Sequence, residues 1–254
     1  DATSMRDDYR NYLFENFCEV VNEYKPKIFV FENVPGILSA KPGGKPVTQR
    51  IYESFRKVGY QIIEPTLLKD VAVVNAKDFG VPQARRRVII IGIRQDSDFK
   101  LMDIYESLQN EKTHKILTVG ESFNTLTHEF IASDLASIHR NANERDRDIF
   151  KTWVENEMNV KSTQERLAFY QSRTGKSSNH IKYRNLELDK PSPTIVAHLK
   201  KDGLMFIHPD SKESRTITVR EAALLQSFPL DYEFKGSMGS NYQMIGNAVP
   251  VELA

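Results

Sequence analysis

The sequence has 254 residues, 40% of them hydrophobic, and its 35 Lys+Arg against 34 Asp+Glu leave a formal net charge of +1. That length buries a real core as one large domain or two small ones, and the charge balance excludes global basic character, so any nucleic-acid surface is local. No apolar run approaches the ~18–20 residues that span a bilayer, no signal peptide opens the chain, and the single cysteine excludes an intrachain disulfide or a cysteine metal cluster; the chain reads as cytoplasmic.

In chain order, Leu13, Phe14, Phe17, Val20, Val21 and Tyr24 recur at helical spacing and predict an amphipathic helix over residues 9–25, ended by Pro26. Ile28-Phe29-Val30-Phe31 then runs into Glu32-Asn33-Val34 and the breaker Pro35-Gly36, which predicts a buried strand over 28–33. Lys41 to Pro46 is a flexible basic loop. Ile51, Phe55 and Val58 mark a second helix with Gly59 at its C-terminal end. Residues 60–68 alternate less cleanly and read as a strand, and Val88–Ile93 is a second clear buried strand. Helix, strand, helix, strand with short links is the grammar of an α/β sheet.

After Arg94 the chain turns polar over 96–190, with mixed charge runs such as Glu144 to Asp148, and reads as a small insert. Apolar order returns from Pro193. Thr194–Ala197 reads as a short strand, Thr218-x-x-Glu221 as a capping box opening a helix through Gln226, and Gly246–Pro250 as a loop before a further helix. The chain begins at Asp1 and stops at Ala254, and both ends read as cut.

Two places concentrate chemistry. Glu32 and Asn33 sit where a buried strand delivers its last side chains, the rim where ligands bind in open α/β sheets. Desolvation there would favour a protonated, hydrogen-bond-donating carboxyl. The alternative is a solvated loop residue or a pair with a nearby arginine. The second place is Asp78-Phe79-Gly80-Val81-Pro82-Gln83-Ala84-Arg85-Arg86-Arg87. It runs directly into the strand Val88–Ile93, and since side chains alternate along a strand, Gln83, Arg85 and Arg87 share one face and Ala84 and Arg86 the other. That face offers forked donors and an amide suited to phosphates and base edges. The alternative is an arginine cluster paired with surface acids.

Together these blocks resemble the DNA (cytosine-5) methyltransferase family: Glu32-Asn33-Val34 after a strand, then Gly80-Val81-Pro82-Gln83-x-Arg85-x-Arg87. Thr216 to Pro229 is similar to the family's ninth motif and Ile245-Gly246-Asn247-Ala248-Val249-Pro250 to its tenth. Asp8-Tyr9-Arg10-Asn11 and Leu13 resemble the segment after the family's catalytic loop. The resemblance implies an α/β fold. It would be the second half of a Rossmann-like, S-adenosylmethionine-dependent methyltransferase sheet plus a small target-recognition domain. Residues 1–95 would belong to the catalytic domain, 96–190 to target recognition and 191–254 to a return segment.

The resemblance also implies roles. Glu32 would hold the Watson–Crick edge of a flipped cytosine and favour protonation at N3, Arg87 would bind its O2, and Arg85 would support the pocket or the catalytic loop. Asn33, Val34 and Gln83 would shape the base pocket. Asn247 and Val249 would approach S-adenosylmethionine. Arg220 and Glu221 read as structural. For double-stranded DNA, Arg173, Lys176, Lys182 and Arg184 are candidate contacts, in a stretch with His180 and no acid whose Gly175, Ser177, Ser178 and Asn179 suit phosphates. A solvated basic loop is the alternative. His198, Lys200 and Lys201 form a weaker patch. His208 and the other histidines show no metal-ligand spacing and read as surface residues.

The family's reaction needs a thiolate from a Pro-Cys-Gln loop, and Cys18, in Phe17-Cys18-Glu19, is the sole cysteine. Near Phe14 and Val21 it reads as a core-flanking residue, which is inert. The Gly-rich cofactor loop and the acids for the adenosine ribose are also missing. The expectation is therefore a C-terminal portion, inactive alone. The N-terminal half would be supplied in cis or as a separate subunit. A tRNA cytosine-5 methyltransferase and a non-catalytic DNA-binding subunit are the competing readings.

Overall fold

A computed structural model of the chain describes residues 13–254, and Asp8–Asn11 lie outside the described residues. The chain divides into two compact units. The first holds the described residues through Asn75 together with Arg86–Lys112, and the second holds Ala76–Arg85 with Thr113–Ala254. These bounds differ from the three sequence blocks: residues 96–112 fall in the first unit and Gln83 and Arg85 in the second.

In the first unit, α1 (Leu13–Tyr24) leads to β1 (Ile28–Asn33), then α2 (Val47–Lys57), β2 (Tyr60–Ile62), α3 (Leu68–Val71) and β3 (Val73–Asn75). The chain passes through β4 (Gln83–Ala84) of the second unit and returns as β5 (Arg86–Arg94) and α4 (Leu101–Asn110). Strand β5 is the hub, pairing antiparallel with β1 along one edge and with β2 and β3 along the other. Tyr105 of α4 reaches the hub, its hydroxyl donating to Ile89 O and accepting from Ile91 N. Burial pushes that phenol up to about 12.

Phe29 sets the register of this sheet. It lies opposite Gly92, where an added Cβ would come within 2.1 Å of the Phe29 ring. The glycine leaves room for the ring over β5, where it packs tilted at 34° against Phe55 at 4.3 Å between centroids, with Phe17 and Tyr60 beside it. Cys18 is buried in this core with Phe14 and Val21, as its position on the amphipathic helix implies.

Several local readings are corrected. β1 is not buried on both faces: of its residues only Phe29 is buried, and Val30 is 58% exposed. Among the described residues β1 pairs with β5 alone. Residues 60–68 are not one strand. Pairing stops at Ile62, because Pro65 brings no N–H donor and residues 65–67 turn into α3.

The second unit continues through α5 (Val119–Phe123), α6 (His128–Ser133), α7 (Glu144–Glu155), α8 (Thr163–Thr174), β6 (Ser192–Pro193), α9 (Val219–Leu224) and α10 (Met238–Asn247). It holds two apolar clusters. One gathers Leu186, Ile195, Ile217, Ala222, Leu225, Tyr242 and Ile245. The other gathers Trp153, Phe150, Ile149, Tyr183 and Ile207, so the polar stretch has a core of its own.

Here too the boundaries move. The strand expected over 194–197 is instead β6 at Ser192–Pro193, parallel to β4. Ile195 leaves the ladder because its N–H donates to the Gln83 side chain. The capping box of Thr218 and Glu221 is present, but α9 ends at Leu224 rather than Gln226. Gly246 and Asn247 close α10 instead of forming a loop. A Cβ at Gly246 would lie 2.2 Å from Ala197 N, so the glycine permits close backbone packing rather than a turn.

Candidate active site

In the first unit the strand ends bring Glu32 and Arg87 together. Glu32 lies opposite Ile89 in the β1–β5 register, which makes Arg87 its diagonal neighbour on the same face. The Arg87 Nε lies 2.6 Å from Glu32 Oε1. Arg87 also donates from Nη1 to Arg86 O and is nearly buried, whereas the Glu32 side chain is 31% exposed. The carboxylate thus has a fixed guanidinium on one side and solvent access on the other. Glu32 is the next-to-last residue of β1 and pairs with an arginine, the alternative that the sequence reading left open.

Asn33 turns the chain. Its Oδ1 accepts from Val34 N, the next residue's amide, at 2.8 Å. Val34 is half exposed and leads into the short 3-10 turn Pro35–Leu38. Asn33 and Val34 line a cavity of about 330 Å³ with Phe14, Phe31 and Ile37. Glu32 and Arg87 are not part of its lining.

Gln83 and Arg85 do not share a face with Arg87 on one continuous strand. Pairing changes partner at Arg85: β4 pairs with β6, and β5 begins afresh at Arg86. Gln83 is fully buried in the second unit. Its Nε2 donates to Leu225 O at 2.9 Å and to Gln226 Oε1 at 3.1 Å, and its Oε1 accepts from Ile195 N at 2.9 Å. Arg85 donates from Nη1 to Ile195 O at 3.0 Å and from Nη2 to Ala248 O at 3.1 Å.

Asn247 ends α10 with an exposed carboxamide that makes no hydrogen bond among the described residues, and Val249 is half-buried beside it. Among the described residues no cluster of His, Cys, Asp and Glu is arranged to hold a metal ion, and no helix is long and apolar enough to cross a membrane.

The basic candidates differ in availability. Arg173 is paired with Asp148 at 2.8 Å. Lys182 Nζ lies 2.7 Å from His180 Nε2. Lys176 and Arg184 are exposed. Buried Tyr183 packs against Trp153 and anchors the segment that carries Lys182 and Arg184. In the weaker patch, Lys200 donates to Gln243 Oε1.

His208 is not a surface residue. Its ring stacks on Phe123 and its Nε2 lies 3.6 Å from Glu221 Oε1. Burial drives its pKa below the ordinary imidazole value, against the raising effect of the Glu221 charge. Glu221 receives both terminal nitrogens of Arg215 at 2.8 Å, as well as the Thr218 amide. Burial pushes that carboxyl up, but Arg215, His208 and the Thr218 amide outweigh it and hold it below the usual carboxylate range. Arg220 pairs through two nitrogens with Asp134. The structural reading of Arg220 and Glu221 therefore stands, with partners that no local pattern announces because they lie far along the chain or loop back past the cap.

The sequence profile of the family described as C-5 cytosine-specific DNA methylase matches residues 2–254. The chain belongs to that family. Within it, the chain is similar to the Type II methyltransferase M.Bpa9945I of Bacillus paralicheniformis, 34% identical over 97% of this chain and 62% of the relative. It is also similar to M.PspPI of a Psychrobacter species, 34% identical over 98% of this chain and 56% of the relative. The chain thus spans about 60% of the length of these curated relatives. Among solved structures, a protein assigned as a prophage-encoded DNA modification methyltransferase (E. coli) aligns at a TM-score of 0.62 and 24% identity, covering 97% of this chain and 72% of that one. The S. pombe Dnmt2 methyltransferase aligns at 0.56 and 16% identity, covering 97% of this chain and 70% of that one. These two likenesses are of fold: the α/β architecture of cytosine-5 methyltransferases.

Proposed function

We propose that this chain is the part of a DNA (cytosine-5) methyltransferase of restriction–modification type that receives the flipped target cytosine and grips the DNA. The observation that carries the reading is the Glu32–Arg87 pair at the mouth of β1 and β5. A cytosine edge offers N3 as acceptor and N4 as donor, and O2 as a second acceptor. Glu32 takes the N3 and N4 side, and Arg87, already oriented by its bond to Arg86 O, donates to O2. Proton donation toward N3 draws electron density from C6, and it strengthens as charge develops in the transition state. Asn33 and Val34, next to Glu32 in the chain, bound the base from the side of the neighbouring cavity, which Glu32 and Arg87 do not line.

Bringing the base out of the duplex costs a few kcal/mol. Phosphate contacts from Lys176, Lys182 and Arg184, with Arg173 after release from Asp148, offset that cost. Asn247 and Val249 meet S-adenosylmethionine, which when bound supplies the methyl group to C5. The thiolate that attacks C6 is not Cys18. Burial first, then the charges of Glu19 and Glu15, push that thiol above its ordinary value, away from thiolate character. The nucleophile comes from outside these 254 residues, in cis or from a partner subunit, and the working compartment is the cytoplasm.

The test is methyl transfer by the active enzyme that carries this sequence, from labelled S-adenosylmethionine to duplex DNA and, in parallel, to tRNA. 5-Methylcytosine in DNA alone is expected. Labelling of tRNA alone replaces the substrate, and labelling of neither removes the reading.

A further inference from the structure

Gln226 and Ser227 belong to a block whose matching residues carry no assigned role, yet a set of hydrogen bonds converges on them. Gln226 is fully buried. Its Nε2 donates to Ile245 O at 2.6 Å and, at longer range, to Ala248 O at 3.4 Å, while its Oε1 accepts from Gln83. Its own carbonyl accepts from Val251 N. Ser227 takes a left-handed conformation, φ 55°, which a non-glycine residue adopts only when its surroundings hold it there. In that conformation its hydroxyl accepts from Glu252 N at 3.1 Å. Arg85 adds a second donor to Ala248 O.

These bonds grip the backbone on both sides of Asn247 and leave its carboxamide exposed and without a hydrogen bond among the described residues. A buried network with its donors and acceptors matched is rigid, so one preset turn is presented outward. We propose that Gln226 and Ser227, backed by Gln83 and Arg85, are positioning residues that preset the Asn247–Val249 turn for S-adenosylmethionine. The inference rests on the reading that this turn meets the cofactor. It assigns the arginine and glutamine of the Gln83-x-Arg85 block to holding the cofactor turn rather than to the base.

The experiment uses the active methyltransferase that carries this sequence and compares Gln226→Met, Arg85→Lys and Asn247→Ala with the parent. Gln226→Met keeps the volume and removes the donors. It is expected to weaken S-adenosylmethionine binding about tenfold by calorimetry, roughly the loss of one to two net hydrogen bonds. Amide hydrogen exchange at 247–251 should accelerate in the unliganded protein, while β5 amides keep their protection. DNA affinity and kcat at saturating cofactor stay within about twofold. Arg85→Lys keeps the charge but loses the fork, and shifts both readouts in the same direction by less. If Gln226→Met does not fold, Arg85→Lys carries the test.

Unchanged exchange at 247–251 overturns the inference, as does a loss of cofactor and DNA binding in equal proportion to lost stability. If Asn247→Ala leaves cofactor affinity untouched, the reading of the turn itself fails. If Asn247→Ala weakens binding and Gln226→Met does not, only the positioning role fails.

Discussion

Arg87 closes on Glu32 at 2.6 Å because the β1–β5 register makes them diagonal neighbours on one face of the sheet. A shift of one residue in that register would put them on opposite faces. Phe29 against Gly92 holds the register, so a packing constraint three residues away along β1 places the Glu32–Arg87 pair.

That placement predicts the behaviour of Glu32→Gln in the active enzyme. The amide is nearly isosteric and retains one hydrogen bond but cannot supply a proton. Turnover should fall by about 100-fold or more, within the range for losing a positioned acid, while DNA affinity changes only a few-fold. Single-turnover kinetics with a DNA-binding titration measure both. An unchanged rate removes Glu32 from the mechanism.

Gln83→Leu leaves Ile195 N, Leu225 O and the Gln226 amide short of a buried partner. Each such orphan costs about 1–3 kcal/mol, and relaxation recovers part of the sum. A loss of about 3 kcal/mol in denaturant unfolding is expected. A loss below about 1 kcal/mol would show that the network contributes little.

Acid should attack the second unit through Glu221. Its folded pKa lies below its ordinary value, because Arg215 and its other partners outweigh burial. A depressed carboxyl contributes stability that is fully present above the unfolded pKa, about 4.3, and is lost as pH falls through the folded pKa. Melting temperature against pH should therefore fall more steeply below about pH 4.3 for the parent than for Glu221→Gln. Parallel curves would sink the argument.

The basic loop makes an ordered prediction. Lys176→Ala and Arg184→Ala each weaken DNA binding across all sequences and lower the salt slope by about 1. Arg173→Ala has a smaller effect at low salt, since its guanidinium is already engaged by Asp148. Binding isotherms at several salt concentrations check the ranking, and equal slopes for all variants would remove the loop from the interface.

Cys18 separates core from chemistry. The 254-residue chain by itself should transfer no methyl group to DNA, and Cys18→Ala in the active enzyme should keep parental turnover. The same substitution should cost about 1 kcal/mol of stability, a modest truncation in a core. Loss of turnover without loss of stability would make Cys18 the nucleophile after all.

Elements whose signal is local could be read from the residues alone. β1 spans Ile28–Asn33, the bounds that the apolar run and the breaker after it predict. The Thr218–Glu221 capping box and the burial of Cys18 beside Phe14 and Val21 were legible for the same reason: a breaker, a cap or a helical stripe lies within a few residues. The residue types of the candidate site, a carboxylate near a strand end and an arginine near a strand start, were legible too. Tertiary structure decided their partners. Glu32 meets Arg87 across 55 positions, and Gln83 meets Leu225 across 142. Arg85 and Arg87 are two residues apart, yet their bonds lie in different units, because the ladder changes partner at Arg85. His208 was misread as a surface residue because nothing within a few positions announces Phe123 or Glu221. Local sequence sets what a segment can form. Which donors and acceptors it satisfies is settled only when distant segments are packed dry against one another, since a buried polar group must then find its partner wherever the fold supplies one.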